Sequence, residues 1–394
     1  MNVFNSLGSN YTFPFALKTL FAGGDKSREL KEYLEKRYGG KVVLLYKGRE
    51  AIELALTLIG FPKGIKVAVN GFTCFAVYRA IEESGYTSIY IDIEKDSLNF
   101  TSETLLKELK KDPNIKVVII QNTLGYPAEG EKIARICKER KVILIEDLAH
   151  SVGAKYESGT EAGTLGDFTV LSFSQDKMID AVSGGALIIR NKKYQDKITK
   201  LKKLPLKQQI IDRMYPELTW KIRTYYPFFI GKLTHAFLKS MKLLSAPMAG
   251  SGEPTALPGW YTVLAKLGFE NLEENLNHRK EIAKMYSQTL KQEVLLNPHI
   301  NQIEKSTNLR FPILVKNRIS LISYLKKRGV YISDIWYDAP IAPKKYMEIS
   351  DYSLGSCPNS EKISEMILNL PTHRNVSLED SVKIAQGVNK WLSK

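Results

Sequence analysis

The sequence is poor in cysteine and histidine and has no long apolar run. Its cysteines are Cys74, Cys137 and Cys357, an odd number among 394 residues with no CxxC pair. That excludes a disulfide scaffold and a cysteine-rich zinc site. The five histidines (His150, His235, His278, His299 and His373) lie far apart without an HExxH pattern, so no metal site is expected. No stretch approaches the roughly 18 apolar residues of a membrane-spanning helix. The opening MNVFNSLGSNYTF lacks a basic start followed by an apolar run, so no signal peptide is expected. The compartment expected from these features is the cytoplasm. Internal repeats are absent too.

What is present is an ordinary globular composition, 44% hydrophobic, on a strongly basic chain of net charge +15. The length is too great for one small core. An N-terminal segment (1–30), a large domain (31–250) and a smaller C-terminal domain (251–394) are expected. The charge is local. Between Lys192 and Lys242 stand 13 Lys or Arg against Asp196, Asp212 and Glu217, and the remainder is only mildly basic. An argument for nucleic-acid binding from overall charge is therefore weak, and no nucleic-acid partner is expected.

Residues 27–38 read as an amphipathic helix stopped by Gly39-Gly40. Seven β-branched runs follow, at 42–46, 66–70, 88–92, 116–121, 142–146, 168–173 and 185–190. Helical patterns at 49–59, 75–84, 102–111 and 130–140 separate the earlier ones. Continuous apolar strands alternating with helices predict an α/β fold, a mostly parallel seven-stranded sheet with helices on both faces. After Arg190 the rhythm stops. Residues 192–245 form a basic, aromatic excursion of helices broken by Pro205, Pro216 and Pro227, and 246–259 reads as a connection. A long helix at about 260–293 opens a smaller α+β region with a strand at 309–315, a helix at 317–328 and a last helix at 378–393.

In parallel α/β sheets ligands sit beyond the carboxyl ends of the strands. That places Gly48, Arg49 and Glu50 after the first strand, Gln121 and Asn122 after the fourth, Asp147 and His150 after the fifth, and Ser172, Ser174 and Lys177 after the sixth. A carboxylate, a histidine, hydroxyls, a helix N-terminus and a lysine are the parts that pyridoxal phosphate needs. A carboxylate on the pyridine nitrogen keeps it protonated. A desolvated lysine is nucleophilic and shuttles protons. A helix N-terminus after a glycine offers N–H groups to a phosphate. Each residue also has a plainer reading: a surface lysine, a helix-capping Asp147, a buried structural His150, a strand-ending Ser172, a turn at Gly48.

The stretch IEDLAHSVGAKYESGTEAGTLGDFTVLSFSQDKMIDAVSGGAL (145–187) resembles the pyridoxal phosphate-dependent sugar aminotransferases of fold type I, the DegT or StrS family. GREAIELAL (48–56), the block at 73–100, NTLGYPAEG (122–130), HRKEIAKMYSQTL (278–290) and ILNLPTH (367–373) support it. The resemblance spans about residues 30–390. It implies that Lys177 is the Schiff-base lysine, that Ser172 binds the cofactor phosphate, and that Asp147 pairs with the pyridine nitrogen. His150 would lie beside the ring, and Gly48, Arg49 and Glu50 would form the phosphate turn. Cys74 stands where the family commonly has a stacking aromatic, with Phe75 next, and Arg49 where it usually has threonine. Asn122 completes the expected cofactor contacts. The family's water-eliminating branch lacks the lysine, so Lys177 argues for transamination.

The implied substrates are a nucleotide-linked keto sugar and an amino donor, glutamate, with Arg310 and Lys316 as candidates for gripping the anions. The implied assembly is a homodimer. For 192–245 two readings stand: a solvated helical excursion, or peripheral contact with an anionic membrane, suggested by YYPFFIGKLTHAFLKSMKLL (225–244). The alternative function is a non-catalytic homologue with a regulatory or membrane-surface role.

Overall fold

The computed structural model describes residues 2–198, 200–246, 253–332 and 335–394. At its centre is a sheet of seven strands: β1 (Lys41–Leu45), β2 (Lys66–Asn70), β3 (Thr87–Ile91), β4 (Ile115–Gln121), β5 (Ile143–Asp147), β6 (Phe168–Ser172) and β7 (Gly185–Ile189). Their spatial order is β1-β7-β6-β5-β4-β2-β3. The pairings are parallel from β3 across to β6, as the buried apolar runs predict. β7 runs antiparallel to both β6 and β1. An apolar run carries no direction, so this reversal was not readable from the pattern.

The strands bury both faces with period two. Val42, Leu44, Val118, Ile120 and Leu144 enter one core. Val43, Leu45, Val117, Ile119 and Ile145 enter the other, against the helix after β1. Sequence and burial thus agree on the two-sided α/β architecture. Register aligns the strand ends: Gln121 pairs with Asp147, and Gly185 pairs with both Leu45 and Ser172. The carboxyl ends of β1, β4, β5 and β6 therefore meet at one edge.

The helices that concern the site and the surface are α1 (Phe13–Leu20), α2 (Gly48–Ile59), α3 (Leu206–Thr224), α4 (Ile230–Ser240), α5 (Leu272–Thr289) and α6 (Leu378–Leu392). Two expectations are corrected here. Pro216 does not break the excursion but lies inside α3, where it is buried; Pro205 caps that helix and Pro227 lies in the turn to α4. The long helix at 260–293 is two, Gly259–Glu270 and α5. They part at Asn271 (φ −96°, ψ 10°), whose amide donates to the Leu267 carbonyl and competes with the helix ladder.

The C-terminal part pairs Arg310–Leu314 with Ile367–Pro371 in an antiparallel ribbon. Ile282, Tyr286, Ile313, Leu368 and Ile384 form its core, between α5 and α6. The division expected at 250/251 falls on residues 247–252, outside the described residues, as does part of the connection expected at 246–259. Trp260, Leu264 and Leu276 pack into the core of the large sheet. Two short pairings tie the parts together: Val3–Phe4 runs parallel to Val330–Tyr331, and Thr73–Cys74 parallel to Ile341–Ala342.

Candidate active site

The converging strand ends enclose a cavity of about 130 Å³ lined by Gly48, Arg49, Cys74, Asp147, Ser172 and Lys177, with His150, Gln121 and Tyr337 at its sides. A larger depression, about 780 Å³, lies by Val142, Ile143 and Arg190. It opens at the amino end of β5, where the strand rule places no ligand.

One corner is built for close approach. A Cβ on Gly48 would stand 2.8 Å from the Cβ of Ser172, and one on Gly185 2.8 Å from the Gly48 nitrogen. Glycine at both positions lets the start of α2 rest against the end of β6, so the free N–H groups of α2 and the Ser172 hydroxyl share the corner. Two cations flank it. Lys47, 2% exposed, donates to Ser183 Oγ at 3.0 Å, and its amine lies 4.5 Å over the Tyr46 ring. Burial pushes its pKa down. Arg49 lies 3.5 Å from Glu53 with both side chains buried. The N–H groups, the hydroxyl and the two cations all suit an anion, and a phosphate fits the corner.

At the other end, Asp147 Oδ1 accepts from the Ala149 N–H (2.9 Å) and Oδ2 from the Gln121 amide (3.3 Å). Thr73 donates in turn to Gln121 Oε1, which fixes the amide. Burial raises the Asp147 carboxyl above the usual range, against the pull of the Ala149 N–H, Lys177 and Gln121. Such a carboxylate complements a protonated ring nitrogen. The donor set thus fits pyridoxal phosphate at both ends.

Between them stands Lys177. Burial lowers its pKa, and Arg310 adds to the effect, while Cys74, Asp147 and Asp176 oppose it. A buried amine so placed is more readily neutral. The Lys177 Nζ lies 4.6 Å over the ring of Trp336, which also stacks on His150 (5.3 Å, 16°) and carries the Arg310 guanidinium 5.0 Å away. Burial and the neighbouring Lys177 and Arg310 hold His150 well below its ordinary pKa, so it is neutral. Its Nδ1 accepts from the Leu124 N–H at 3.2 Å, which assigns the proton to Nε2.

Three expected site residues face elsewhere. Glu50 accepts from the Thr255 N–H at 2.9 Å instead of lining the cavity, since it lies about 200° round the helix from Gly48. Burial raises its pKa to about 7. Phe75 stacks on Tyr346 (4.6 Å, 19°), opening a helix next to Cys74 and pointing away from it. Asn122 binds Ser151 and the Ala128 N–H, while its neighbour Gln121 takes the site side. Lys316 is exposed, whereas Arg310 is buried beside Lys177.

Sequence reading missed Lys47, Trp336, Tyr337 and the N-terminal strap. Lys47 was visible as the cation beside Gly48. The tyrosine hydroxyl, 3.4 Å from His150 Nδ1, arrives through the Thr73–Ile341 pairing, which has no local signal. Ser9 donates twice to Asp176 Oδ1 (3.1 and 2.7 Å), and Tyr11 donates to Asp180 at 2.7 Å. Those bonds strap the turn that presents Lys177.

Known proteins share this arrangement of elements. Residues 18–389 match the DegT/DnrJ/EryC1/StrS aminotransferase family. The chain is 25% identical over 383 residues to a UDP-4-amino-4,6-dideoxy-N-acetyl-beta-L-altrosamine transaminase of Campylobacter jejuni, covering 94% of this chain and 91% of that one. It is 23% identical over 368 residues to a GDP-perosamine synthase of Escherichia coli O157:H7, covering 92% and 88%. A solved structure of a putative sugar aminotransferase from Streptococcus pneumoniae in its PLP form shares the fold, with a TM-score of 0.69 at 18% identity over 95% of this chain and 94% of that one.

Proposed function

The chain belongs to the DegT/DnrJ/EryC1/StrS aminotransferase family, and from that membership we propose that it aminates a keto sugar carried on a nucleoside diphosphate, with glutamate as amino donor. Activity as a pyridoxal phosphate-dependent aminotransferase follows from the family itself. The nucleotide-linked substrate is supported by the named activities of the C. jejuni and E. coli relatives. The observation that carries the reading is the single cavity shared by Lys177, Asp147 and Ser172.

The cofactor, when bound, supplies an electron sink for the carbon that loses a proton. The protein's residues do the rest. The N–H groups at the start of α2, Ser172, Arg49 and Lys47 hold the phosphate. Asp147, set by Gln121 and Ala149, keeps the ring nitrogen protonated. Lys177 would anchor the cofactor, and its amine, more readily neutral in this buried position, would move the proton at the substrate carbon. His150 offers its Nε2–H beside the ring. Arg310, next to Trp336, is placed to meet a carboxylate or diphosphate.

Two partners complete the reading: a second copy in a homodimer, and an anionic membrane surface met by the 192–245 segment. No helix among the described residues is long and apolar enough to cross a membrane. The unpaired thiols of all three cysteines support a reducing, cytoplasmic setting.

The test is the half-reaction. Purified protein should be yellow, bleach on addition of glutamate, and carry the cofactor mass on Lys177 after borohydride reduction. Colour without bleaching by any amino acid would overturn the transaminase reading. Bleaching by another amino acid alone would overturn glutamate as donor. Turnover with nucleotide-linked keto sugars, and none with the free sugars, supports the substrate class.

A further inference from the structure

Fourteen of the eighteen large apolar side chains exposed among the described residues fall within 13–21 and 206–243. They are ordered. On and just beyond α1 stand Phe13, Leu17 and Phe21, and on α3 Leu206, Ile210 and Met214, each set spaced i, i+4, i+8. Along and just beyond α4 stand Ile230, Leu233, Phe237 and Met241, again one stripe of the helix. The turn between α3 and α4 adds Tyr225, Phe228 and Phe229, which is 59% exposed. The three helices are neighbours. Phe13 packs on Trp220 (4.8 Å), Arg213 of α3 donates to the Leu20 and Ala22 carbonyls, and Gly231 of α4 lies against the Ile222 carbonyl of α3.

The charges around these stripes have one sign. Lys18, Lys207, Lys239 and Lys242 are exposed. Of the two acids on α3 and α4, Asp212 is buried under Tyr46 and Tyr261, and Glu217 is paired with Lys221. On α3 and α4, where no described acid is both exposed and unpaired, an apolar stripe rimmed by cations complements an anionic, apolar-cored surface. A second copy fits it poorly, because a two-fold contact brings together two faces whose exposed rims are both positive.

We propose that the α3–α4 hairpin is the element that docks on an anionic bilayer, with Phe228, Phe229 and Ile230 entering the headgroup region and the α4 stripe lying in the membrane plane. This rests on the peripheral contact proposed for 192–245 and assigns it to a particular element. The hairpin is not isolated from the site. Arg223 of α3 donates to the Tyr11 carbonyl at 2.7 Å, and the Tyr11 hydroxyl holds Asp180 beside the Lys177 turn. Docking thus places the catalytic turn close to the membrane.

Full-length protein should be sedimented with phosphatidylcholine vesicles, with and without phosphatidylglycerol, at low and high salt. Binding is expected only with the anionic lipid and should weaken with salt. Phe228→Ser with Phe229→Asn should lower the partition coefficient by about tenfold or more, since much of the inserted apolar area is lost. Asn suits the left-handed backbone at 229 (φ 67°). Lys239→Glu with Lys242→Glu should weaken binding and flatten its salt dependence. Both variants should still bleach with glutamate, which shows an intact fold. A tip variant that binds like the parent, while Lys200→Glu with Lys203→Glu abolishes binding, overturns the hairpin but leaves the peripheral contact standing. No binding of the parent at low salt overturns both. A larger assembly in vesicle-free solution that the tip variant dissolves assigns the face to a second copy and overturns the proposal. Failure to bleach with vesicle binding intact counts only against the aminotransferase.

Discussion

The strand-end site and the α3–α4 hairpin are built from the same residue types and use them in opposite ways. At the site the charges are inside. Asp147, Arg49 and Lys47 are buried, and bonded neighbours hold each in place. On the hairpin Lys207, Lys239 and Lys242 and the apolar stripe are outside, with Phe228 71% exposed. Burying charge without a partner is costly, so an inward cluster of this kind predicts a charged ligand. Leaving large apolar side chains in water is unfavourable too, so an outward stripe predicts a cover. The two regions therefore make complementary claims, and variants can separate them.

The largest effect should come from Lys177→Ala. Loss of the amine that holds the cofactor and moves the proton should slow the glutamate half-reaction by at least about 10³-fold. Vesicle binding should be unchanged. A variant that still bleaches at the parent rate removes Lys177 from the mechanism and with it the inward half of the comparison.

Next is the joint between the regions. Asp212 of α3 accepts from Tyr46 and Tyr261, both at 2.8 Å, and from Gln208 at 2.8 Å. Asp212→Ala strands two buried phenols, at a cost of about 2–4 kcal/mol in unfolding free energy. Asp212→Asn, whose amide oxygen still accepts from both phenols, should lose clearly less. Chemical denaturation measures both. Equal, negligible effects would mean that the hairpin is not anchored through this network.

Lys47 sharpens the phosphate claim. Lys47→Ser should weaken pyridoxal phosphate binding to apoprotein by about 10- to 100-fold, the scale of a lost charge-assisted hydrogen bond. Pyridoxal, which lacks the phosphate, should bind parent and variant alike. Equal losses for both ligands would show that Lys47 merely supports the fold around Tyr46.

These contrasts also explain what the amino-acid pattern could reveal. Strands buried on both faces read as continuous apolar runs, so the sheet was legible. Asp147, Ser172 and Lys177 were legible because parallel strands deliver their carboxyl ends to one edge. Direction within an apolar run is not encoded, which hid the reversal of β7. Adjacency in the chain misled at Glu50, Phe75 and Asn122, because the next residue on a strand or helix faces elsewhere. Trp336 and Tyr337 come from a distant pairing. On the hairpin, the spacing of Ile230, Leu233, Phe237 and Met241 shows a stripe but is silent on whether protein covers it. Only the folded exposure separates a core helix from a docking one.

The smallest effect tests burial itself, through two histidines, one inward and one on the hairpin. His299 is buried against the edge of Tyr126, at 4.6 Å, and burial lowers its pKa to about 3. In the unfolded chain it titrates near about 6.5. Between those values the unfolded state binds a proton that the folded state refuses, so stability falls as the pH drops through that window and is fully retained above it. Going from pH 7 to pH 5 should cost on the order of 2 kcal/mol from this residue alone. His299→Phe, similar in shape and without the titration, should lose less stability than the parent over that interval and differ little in slope at pH 8. His235 on α4 is only half-buried, and its pKa is lowered by that burial and by Lys239. His235→Phe should therefore change the pH slope less. The acid sensitivity of the other buried histidines is common to all three proteins and cancels. Melting temperatures from pH 8 to pH 5 decide it: parallel curves for parent and His299→Phe would show that the imidazole reaches water, and that the interior is not as closed as the contrast with the hairpin requires.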